Sequence, residues 1–462
     1  VDFTALRSVH GLVIKPQTDN LKVGLDGKLA VISAPGGLMV SALDQAQAKD
    51  SASPPQERVG YVDLNLMHED DPLKFSKRRE DLMDTASRAE GEARDRARLD
   101  LARFYLANRF GQEALGVLDV AQPDLKARDD KEQAQRDLAI ADILAARPKE
   151  ALAILNVPKF AAEADSLMWR AMARADDHDY AGARADAIAS EAVAPSYPQW
   201  VRARFYLSAS RAAVETGDAQ LAQRYLGKVE FAKLEGDDVS LYQLLQGRVA
   251  ELQGHQDEAL DTYGQVIADD VRPTRAEAVY RTLLVLDQQG RLNLEKGADT
   301  LAAEAMMWRG NPLEADMDKL LAELYFRKGD YRDGFDTVRS AVQYFPDSVP
   351  ITALQQEAKT QFTDLFLNGR ADSLDPVTAL GIYYDFRALT PPGAQGDQMI
   401  RNLASRLIKL DLLGQAADLL KYQVDNRLAG AARAQVAADL AIVLIADRRP
   451  QEALQALHET DL

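Results

Sequence analysis

The side chains that could bind a metal or transfer protons are few and scattered in this sequence. No His-x-x-x-His or Glu-x-x-His pair occurs among its five histidines, which are His10, His68, His178, His255 and His458. The one metal-like cluster is His-Glu-Asp-Asp at 68–71, directly before a predicted helix. Acidic side chains at that position stabilise the positive end of the helix dipole, so we interpret the cluster as a helix cap rather than a metal site.

The motifs of nucleophilic and nucleotide-dependent catalysis are also missing. The segment Ser-Ala-Pro-Gly-Gly at 33–37 lacks the Gly-x-Ser-x-Gly turn of hydrolases, and neither a phosphate-binding loop nor a dinucleotide-binding glycine motif occurs. Acidic pairs at 176–177, 237–238 and 269–270 fall in predicted turns, where Asp is favoured. Because there is no cysteine, thiol catalysis and thiolate metal sites are excluded. The sequence predicts a non-enzymatic protein without cofactor or metal.

The charge balance disfavours one large class of ligand. The 462 residues carry 72 acidic and 55 basic side chains, for a formal net charge of −17. This excess of negative charge repels phosphate backbones, so nucleic acid is not expected as the partner. The strongest apolar run, LAIVLIA at 440–446, is shorter than the roughly 20 residues that a membrane-spanning helix needs.

The chain ends and the lack of cysteine bear on the compartment. A chain that begins at Val1 rather than methionine is expected to be a processed or trimmed product, which has lost a signal peptide or a membrane anchor. Leu462 directly follows a predicted repeat helix, so a native chain that continues beyond it is the alternative to self-association through an uncapped solenoid end. The lack of cysteine favours the periplasm or cell envelope, with the cytoplasm as the alternative.

Any site must be positioned by helices, which recur along the chain in a repeated helix–turn–helix sequence pattern. An apolar helix, a polar turn and a second helix opening on a small residue recur with these small residues as anchors: Ala114, Ala151, Ala183, Ala222, Ala259, Gly334, Ala416 and Ala453. Successive gaps are 37, 32, 39, 37, 75, 82 and 37 residues, so each of the two long gaps is expected to hide one degenerate copy. A period of 32–39 residues predicts a solenoid, because a single helix pair cannot bury its apolar face alone.

Small residues also recur in the first helix of each copy. The residue twelve positions before the anchor is Ala or Gly in seven of the eight copies and Ser210 in the other. Small side chains at both positions predict a close crossing of the two helices. Glycines at 217, 254, 290 and 329 are expected where first helices end, because glycine tolerates the left-handed conformation there.

These positions resemble the tetratricopeptide repeat. The copy at 315–346 follows that pattern most fully, with Ala322, Tyr325, Gly329 and Pro346 in place and Gly334 where alanine is usual. The resemblance covers about 75–460, and the run is also similar to repeat proteins of bacterial envelopes. It implies an all-α, right-handed superhelical α-solenoid of about nine or ten helix-turn-helix repeats, whose first helices line a concave groove.

Transferring the family's groove positions to this chain selects a set rich in basic residues: Arg103, Arg136, Arg204, Leu207, Arg211, Leu244, Arg248, Phe326, Arg327, Arg401, Ile408 and Lys409. Guanidinium groups pair with carboxylates in a forked geometry, so such a groove suits an acidic or C-terminal peptide segment. The alternative is that these arginines pair with carboxylates on adjacent helices of the chain itself.

The N-terminal segment has a different pattern. Short β-branched runs at 11–16, 21–27, 28–33 and 37–41, separated by turn signals such as Asp26-Gly27, predict a small β-rich hairpin or meander over residues 1–42. Residues 43–70 are predicted as a linker and 71–462 as the solenoid.

The function expected from these features is a protein–protein interaction scaffold or adaptor within a larger bacterial assembly, with the cell envelope favoured. The alternative is a periplasmic module that binds glycan or peptidoglycan, or that assists an enzyme. Self-association through solenoid ends is a third expectation, because the apolar run at 440–446 is followed by no polar capping helix.

Overall fold

The computed structural model describes residues 3–6, 13–16, 21–26, 29–33, 50 and 52–460. His10, the Pro-Gly-Gly turn at 35–37, the strand predicted at 37–41, residues 43–49 of the predicted linker and both chain ends lie outside these described residues. The chain divides into an N-terminal unit, Val1–Asp269, and a C-terminal unit, Asp270–Leu462. Sequence analysis had treated 71–462 as one continuous run of repeats.

Two antiparallel hairpins form in the N-terminal segment. Strand β1 (Phe3–Leu6) pairs with β2 (Val13–Pro16), and β3 (Lys22–Asp26) pairs with β4 (Leu29–Ser33). In the second hairpin Asp26 is opposite Leu29, and Gly27 of the turn predicted at Asp26-Gly27 lies outside the described residues. Strand β1 was not predicted, because Phe-Thr-Ala-Leu is too short to show an alternating pattern.

The N-terminal unit contains one leading helix and five helix pairs within its described part. The helices are α1 (Pro72–Arg88), α2 (Gly91–Ala107), α3 (Gly111–Ala121), α4 (Arg128–Leu144), α5 (Pro148–Leu155), α6 (Ala164–Asp176), α7 (Tyr180–Ser190), α8 (Gln199–Glu215), α9 (Ala219–Leu226), α10 (Asp237–Leu252) and α11 (Gln256–Asp269). Helix α1 begins at Pro72, where the Asp71 carboxylate accepts hydrogen bonds from the amides of Leu73 and Lys74. This contact supports the capping interpretation of the acidic cluster.

The C-terminal unit contains five further helix pairs among its described residues. They are formed by α12 (Thr274–Gln288), α13 (Leu294–Met307), α14 (Asn311–Lys328), α15 (Tyr331–Tyr344), α16 (Val349–Leu367), α17 (Pro376–Phe386), α18 (Ala394–Lys409), α19 (Leu413–Asn426), α20 (Gly430–Ala446) and α21 (Pro450–His458). Pairs α12/α13 and α16/α17 are the two copies expected in the long gaps. In both units consecutive helices pack on one another, which confirms the all-α solenoid with a small N-terminal strand segment.

The helix crossings are close where the small residues recur. All eight anchors and their eight partners twelve residues earlier are buried. At Gly334 an added Cβ would lie 2.5 Å from the Phe326 ring, which explains why glycine replaces the usual alanine there. At Gly247 an added Cβ would lie 2.6 Å from the Tyr263 ring. The packing of each pair therefore depends on the absence of side-chain atoms at these positions.

The turns between paired helices share one backbone conformation. Gly217, Gly254 and Gly329 have φ of 78°, 82° and 92° and lie one or two residues after the last residue of their first helices, where they were predicted, and Gly290 has φ of 66°. In the aligned copies the first three lie five residues before the anchor. The other five aligned copies also have positive φ at that position, but with non-glycine residues.

Part of the predicted linker packs on the helices. The segment includes a short 3-10 turn at Pro55–Glu57, and Arg58, Val62 and Leu64 are buried. Val62 and Leu64 belong to the apolar core of the N-terminal unit. Residues 52–69 are called the N-terminal strap below.

Candidate functional site

The predicted groove cations mostly form ion pairs between successive first helices. Arg103 on α2 contacts Asp137 on α4, with Nε 3.0 Å from Oδ2. Arg204 on α8 contacts Asp176 on α6, with Nη2 2.9 Å from Oδ2. Each pair joins neighbouring repeats. Burial raises the pKa of Asp137, while the Arg103 guanidinium opposes that rise.

The same pattern continues in other repeats. Arg136 forms a buried bidentate pair with Glu163, at 2.9 and 2.7 Å. Arg211 and Arg248 both approach Glu215, at 3.2 and 3.7 Å. These arginines therefore follow the alternative stated from sequence, in which groove cations pair with carboxylates of the chain itself. Arg136 and Arg248 thereby join neighbouring repeats, whereas Arg211 pairs within α8.

The C-terminal unit contains one more ion pair between successive first helices. Arg327 on α14 donates to both carboxylate oxygens of Asp287 on α12, each at 2.8 Å. The hydrogen bonds and charge of this guanidinium lower the pKa of Asp287. The pair is partly exposed, so its stabilising effect is modest.

The apolar groove residues Leu207, Leu244 and Phe326 are not available to a partner. All three are buried, and Phe326 packs edge-to-face on Phe335 with ring centroids 5.0 Å apart. The groove positions transferred from the tetratricopeptide repeat located these residues on the first helix but did not predict their burial by neighbouring helices. They contribute to the core of their units rather than to an open surface.

Arg401, Ile408 and Lys409 differ from the other predicted groove residues. They lie on α18 and are partly or fully exposed. Arg401 donates to Gln398 Oε1 at 2.7 Å, and within the described chain neither Arg401 nor Lys409 has a carboxylate within 4.0 Å. These two cations are therefore available to an outside carboxylate.

A cleft of about 370 Å³ adjoins these residues. It lies between α18 and α20, the first helices of the last two described pairs, and α19 contributes to its lining. Ile408 and Ile442 supply exposed apolar surface, Arg401 lies beside them, and Asp439 is the one carboxylate in the lining. The residues called the C-terminal cleft below are Arg401, Ala404, Ser405, Ile408, Leu413, Leu420, Asp439, Ile442, Val443 and Ala446.

The apolar character of the cleft comes from a helix that is apolar on more than one face. In α20, Leu440, Val443 and Leu444 are buried, as expected for the packed side of a surface helix. Ile442 and Ile445 lie on its outer side and are 67% and 61% exposed. Ile442 and Ile445 are three residues apart and therefore adjacent on the helix, and Ile408 lines the same cleft as Ile442. A contiguous apolar patch of this kind makes this side of α20 a candidate interaction surface.

The N-terminal unit contains a site that sequence analysis missed. Asp165 on α6 receives a buried, bidentate pair of hydrogen bonds from Arg58 of the N-terminal strap, at 2.8 and 3.1 Å. Asp165 lies eighteen residues before the Ala183 anchor, which is itself one of the family's groove offsets. The predicted groove residues include none from the Ala183 copy, so this carboxylate was not among them.

The described residues contain no group of three or more histidine, aspartate or glutamate side chains placed to hold a metal ion. A polar cleft of about 310 Å³ in the N-terminal unit is lined by both charges, including His68, Arg109 and Asp238. No helix in the described part of the chain is long and apolar enough to span a membrane.

No protein-family model matches the chain, and no curated protein matches its sequence. Solved structures of helical-repeat proteins do resemble it. A Rap protein complexed with Competence and Sporulation Factor matches at 11% identity with a TM-score of 0.45, over 76% of this chain and 99% of that one. The human IFIT1 dimer with PPP-AAAA matches at 13% identity with a TM-score of 0.38, over 92% of this chain and 95% of that one.

The TPR domain of P58(IPK) matches at 14% identity with a TM-score of 0.22, over 77% of this chain and 99% of that one. At these identities the likeness concerns helical-repeat architecture and transfers no ligand. The description of this chain as tetratricopeptide-like rests on its own stacked helix pairs and buried small-residue crossings.

Proposed function

We propose that this protein is a non-enzymatic scaffold whose C-terminal cleft binds a segment of a partner protein. The observation that carries this proposal is the combination, in one cleft, of exposed Ile408 and Ile442 with Arg401, which has no carboxylate within 4.0 Å in the described chain. Lys409 follows Ile408 on α18, outside the lining of the cleft, and is a second exposed cation without such a partner in the described chain. Arginines elsewhere on the predicted groove have such partners. The C-terminal cleft therefore combines apolar contact area with available positive charge.

The chemistry of the cleft favours a particular kind of segment. Aliphatic side chains of the partner would cover Ile408 and Ile442, while acidic side chains or a terminal carboxylate would face Arg401 and Lys409. An amphipathic helix with Leu or Ile on one face and Glu or Asp at its border has both properties. We place such binding within a larger bacterial assembly, and the lack of cysteine supports one in the cell envelope.

The size of the effect follows from the exposure of Ile442. Burying a whole Ile side chain contributes about 1.5–3 kcal/mol, so covering the exposed two thirds of Ile442 contributes about 1–2 kcal/mol. This corresponds to a change in affinity of roughly fivefold to thirtyfold. An Ile442→Asp variant loses that contact and also places a carboxylate against the aliphatic side chains of the partner, which carries a desolvation cost.

The test uses the full chain and a labelled amphipathic peptide with a Leu stripe bordered by Glu, followed by fluorescence anisotropy. We expect binding that weakens with salt, and at least a tenfold loss for Ile442→Asp and for Arg401→Glu. Matched controls are Ile188→Asp on α7 and Lys421→Glu on α19, both exposed positions outside the cleft. Equal binding of a Lys-bordered peptide, or an unchanged affinity of the two cleft variants, would contradict the proposal.

The same assay separates the glycan-binding alternative. Saturable binding to purified wall fragments that survives high salt and is unaffected by Ile442→Asp would favour a glycan-binding module instead. Binding through the C-terminal cleft should respond to both salt and that substitution, because it combines surface charge with apolar contact.

A further inference from the structure

The N-terminal strap follows the first-helix face of its unit as a peptide ligand would. The Tyr61 hydroxyl and the Asn65 amide both donate to the carbonyl of Ser196, each at 3.1 Å. Asn108, at the end of α2, donates to the Met67 carbonyl at 2.9 Å and accepts from the amide of residue 69 at 3.0 Å. Each of these hydrogen bonds involves a side chain, so the strap does not extend a helix or sheet of the unit.

Arg58 is the most specific contact of the strap. Its side chain is 2% exposed, and two of its nitrogens donate to the two carboxylate oxygens of Asp165. The Tyr197 hydroxyl also donates to Asp165, at 2.9 Å, and the third guanidinium nitrogen donates to the Ser53 carbonyl at 3.1 Å. The guanidinium lies 5.3 Å from the Tyr61 ring centroid. This pocket satisfies the fork geometry of arginine, which lysine cannot reproduce.

The backbone of the strap approaches the helix face closely beside this pocket. A Cβ added to Gly60 would lie 3.0 Å from Glu163 Oε2 and 3.3 Å from Asp165 Cβ, so a larger residue would push the strap outward. The Asp50 carboxylate, just before the strap, accepts from the Ala164 amide at 2.9 Å at the start of α6. Backbone contact and side-chain recognition therefore coincide at α6.

Some aliphatic residues of the strap are buried and others are exposed. Val62 is 2% exposed and Leu64 is 0% exposed, whereas Val59 is 66% and Leu66 is 72% exposed. The same residue types thus occur once in a pocket and once in solvent. The buried pattern is an arginine followed by aliphatic residues four and six positions later.

We propose that the first-helix face of the N-terminal unit is a peptide-binding site for an extended, arginine-bearing segment, and that the strap occupies it as an intramolecular ligand. Its guanidinium pocket is formed by Asp165 and Tyr197, and its apolar pockets take the side chains of Val62 and Leu64. A partner segment with the same pattern must displace the strap in order to bind there. This site lies in a different unit from the C-terminal cleft, so the two proposals stand or fall separately.

The test breaks the covalent link while keeping the whole chain. A protease recognition sequence is inserted after Asp70, whose side chain is 92% exposed, and the purified chain is cut there. A labelled synthetic peptide of residues 50–70 is then added in excess and its binding is followed by anisotropy. We expect saturable binding to the cut chain and at least tenfold weaker binding to the uncut chain, whose site is already filled.

Variants are placed in the peptide, so the folding of the protein is not at issue. Peptides carrying Arg58→Lys, Val62→Ala or Leu64→Ala should bind at least tenfold more weakly. The matched control peptides Val59→Ala and Leu66→Ala should bind within twofold of the parent peptide, because both side chains lie in solvent.

Three results would overturn the proposal. They are a cut chain that does not bind the peptide, equal affinities for all five peptide variants, and loss of the helical circular-dichroism signal when the released 1–70 fragment is removed. The last result would make the strap a part of the fold rather than a ligand. Ile442→Asp in the C-terminal cleft should leave peptide binding unchanged, which keeps this test separate from that of the proposed function.

Discussion

Replacing Ala146 with glycine should stabilise this protein, although glycine normally destabilises folded chains. The residue five positions before the anchor has positive φ in all eight aligned copies. Three copies use glycine there, and five use Arg109, Ala146, His178, Asp411 or Arg448. Ala146 has φ of 57° and is exposed, so its methyl group makes no buried contact that the substitution would remove.

Two opposing effects set the magnitude. A non-glycine residue in the left-handed region costs roughly 1–2 kcal/mol, and Ala146→Gly relieves that cost. Glycine also increases the conformational entropy of the unfolded chain, which costs about 0.4–1 kcal/mol. The relief is the larger effect, so the free energy of unfolding should rise by about 0.5–1 kcal/mol. The same change at Ala153, exposed within the right-handed helix α5, should lower it by about 0.5–1 kcal/mol.

Urea denaturation of the full chain, followed by far-ultraviolet circular dichroism, measures both variants against the parent. The reverse substitution supplies a second check. Gly254 has φ of 82° and a Cβ added there meets no atom within 4 Å, so Gly254→Ala tests the backbone effect alone and should destabilise by about 1 kcal/mol. If Ala146→Gly shifted the midpoint downward as far as Ala153→Gly does, the reasoning from left-handed turns would be refuted.

Further predictions concern buried charge, packing and assembly. Burial, together with the neighbouring Glu314 carboxylate, raises the pKa of Asp318 to about 6. The neutral carboxyl therefore contributes stability that is fully present below about pH 4 and is lost as pH rises through 6. The urea midpoint of Asp318→Asn should change less between pH 4 and 7 than that of the parent chain. An equal pH dependence of the two midpoints would contradict this. Ala259→Leu should overpack its crossing and lower the free energy of unfolding by about 1–3 kcal/mol, which calorimetry would detect as a lower Tm. Arg136→Met leaves Glu163 buried without its cation and should cost about 3–5 kcal/mol, a loss that adding Glu163→Gln should largely reverse in urea titrations. Self-association through solenoid ends predicts a molar mass that rises with concentration in light scattering, whereas a constant monomer mass would exclude it.

The repeat architecture could be predicted because its packing depends on small side chains at a constant offset. The two hidden copies show the limit of that signal. Their second helices contain the buried residues Ala298 and Ala379, but Leu286 and Leu367 lie twelve positions earlier. Without a small residue on the first helix the paired pattern is lost, so only the doubled spacing indicated that these copies exist.

The environment of the groove residues could not be predicted in the same way. The partner of Arg136 lies 27 residues along the chain, and the partner of Arg327 lies 40 residues back. Because these separations vary from repeat to repeat, a position on the first helix does not reveal whether a carboxylate of the next repeat will reach it. Arg401 shows the same limit, because Asp364 lies 37 residues before it and Asp439 lies 38 residues after it, yet within the described chain it pairs with neither.

The two units use the same first-helix surface with opposite charge. In the N-terminal unit the carboxylate of Asp165 is buried against a guanidinium from the strap. In the C-terminal unit Arg401 lines the cleft with exposed Ile408 and Ile442, and neither Arg401 nor Lys409 has a carboxylate within 4.0 Å in the described chain. Because a charged site prefers a ligand of opposite charge, the N-terminal site should prefer cationic segments and the C-terminal cleft acidic ones. The two proposals together predict two different partners, and exchanging the charge of one site should change the binding of one partner without affecting the other.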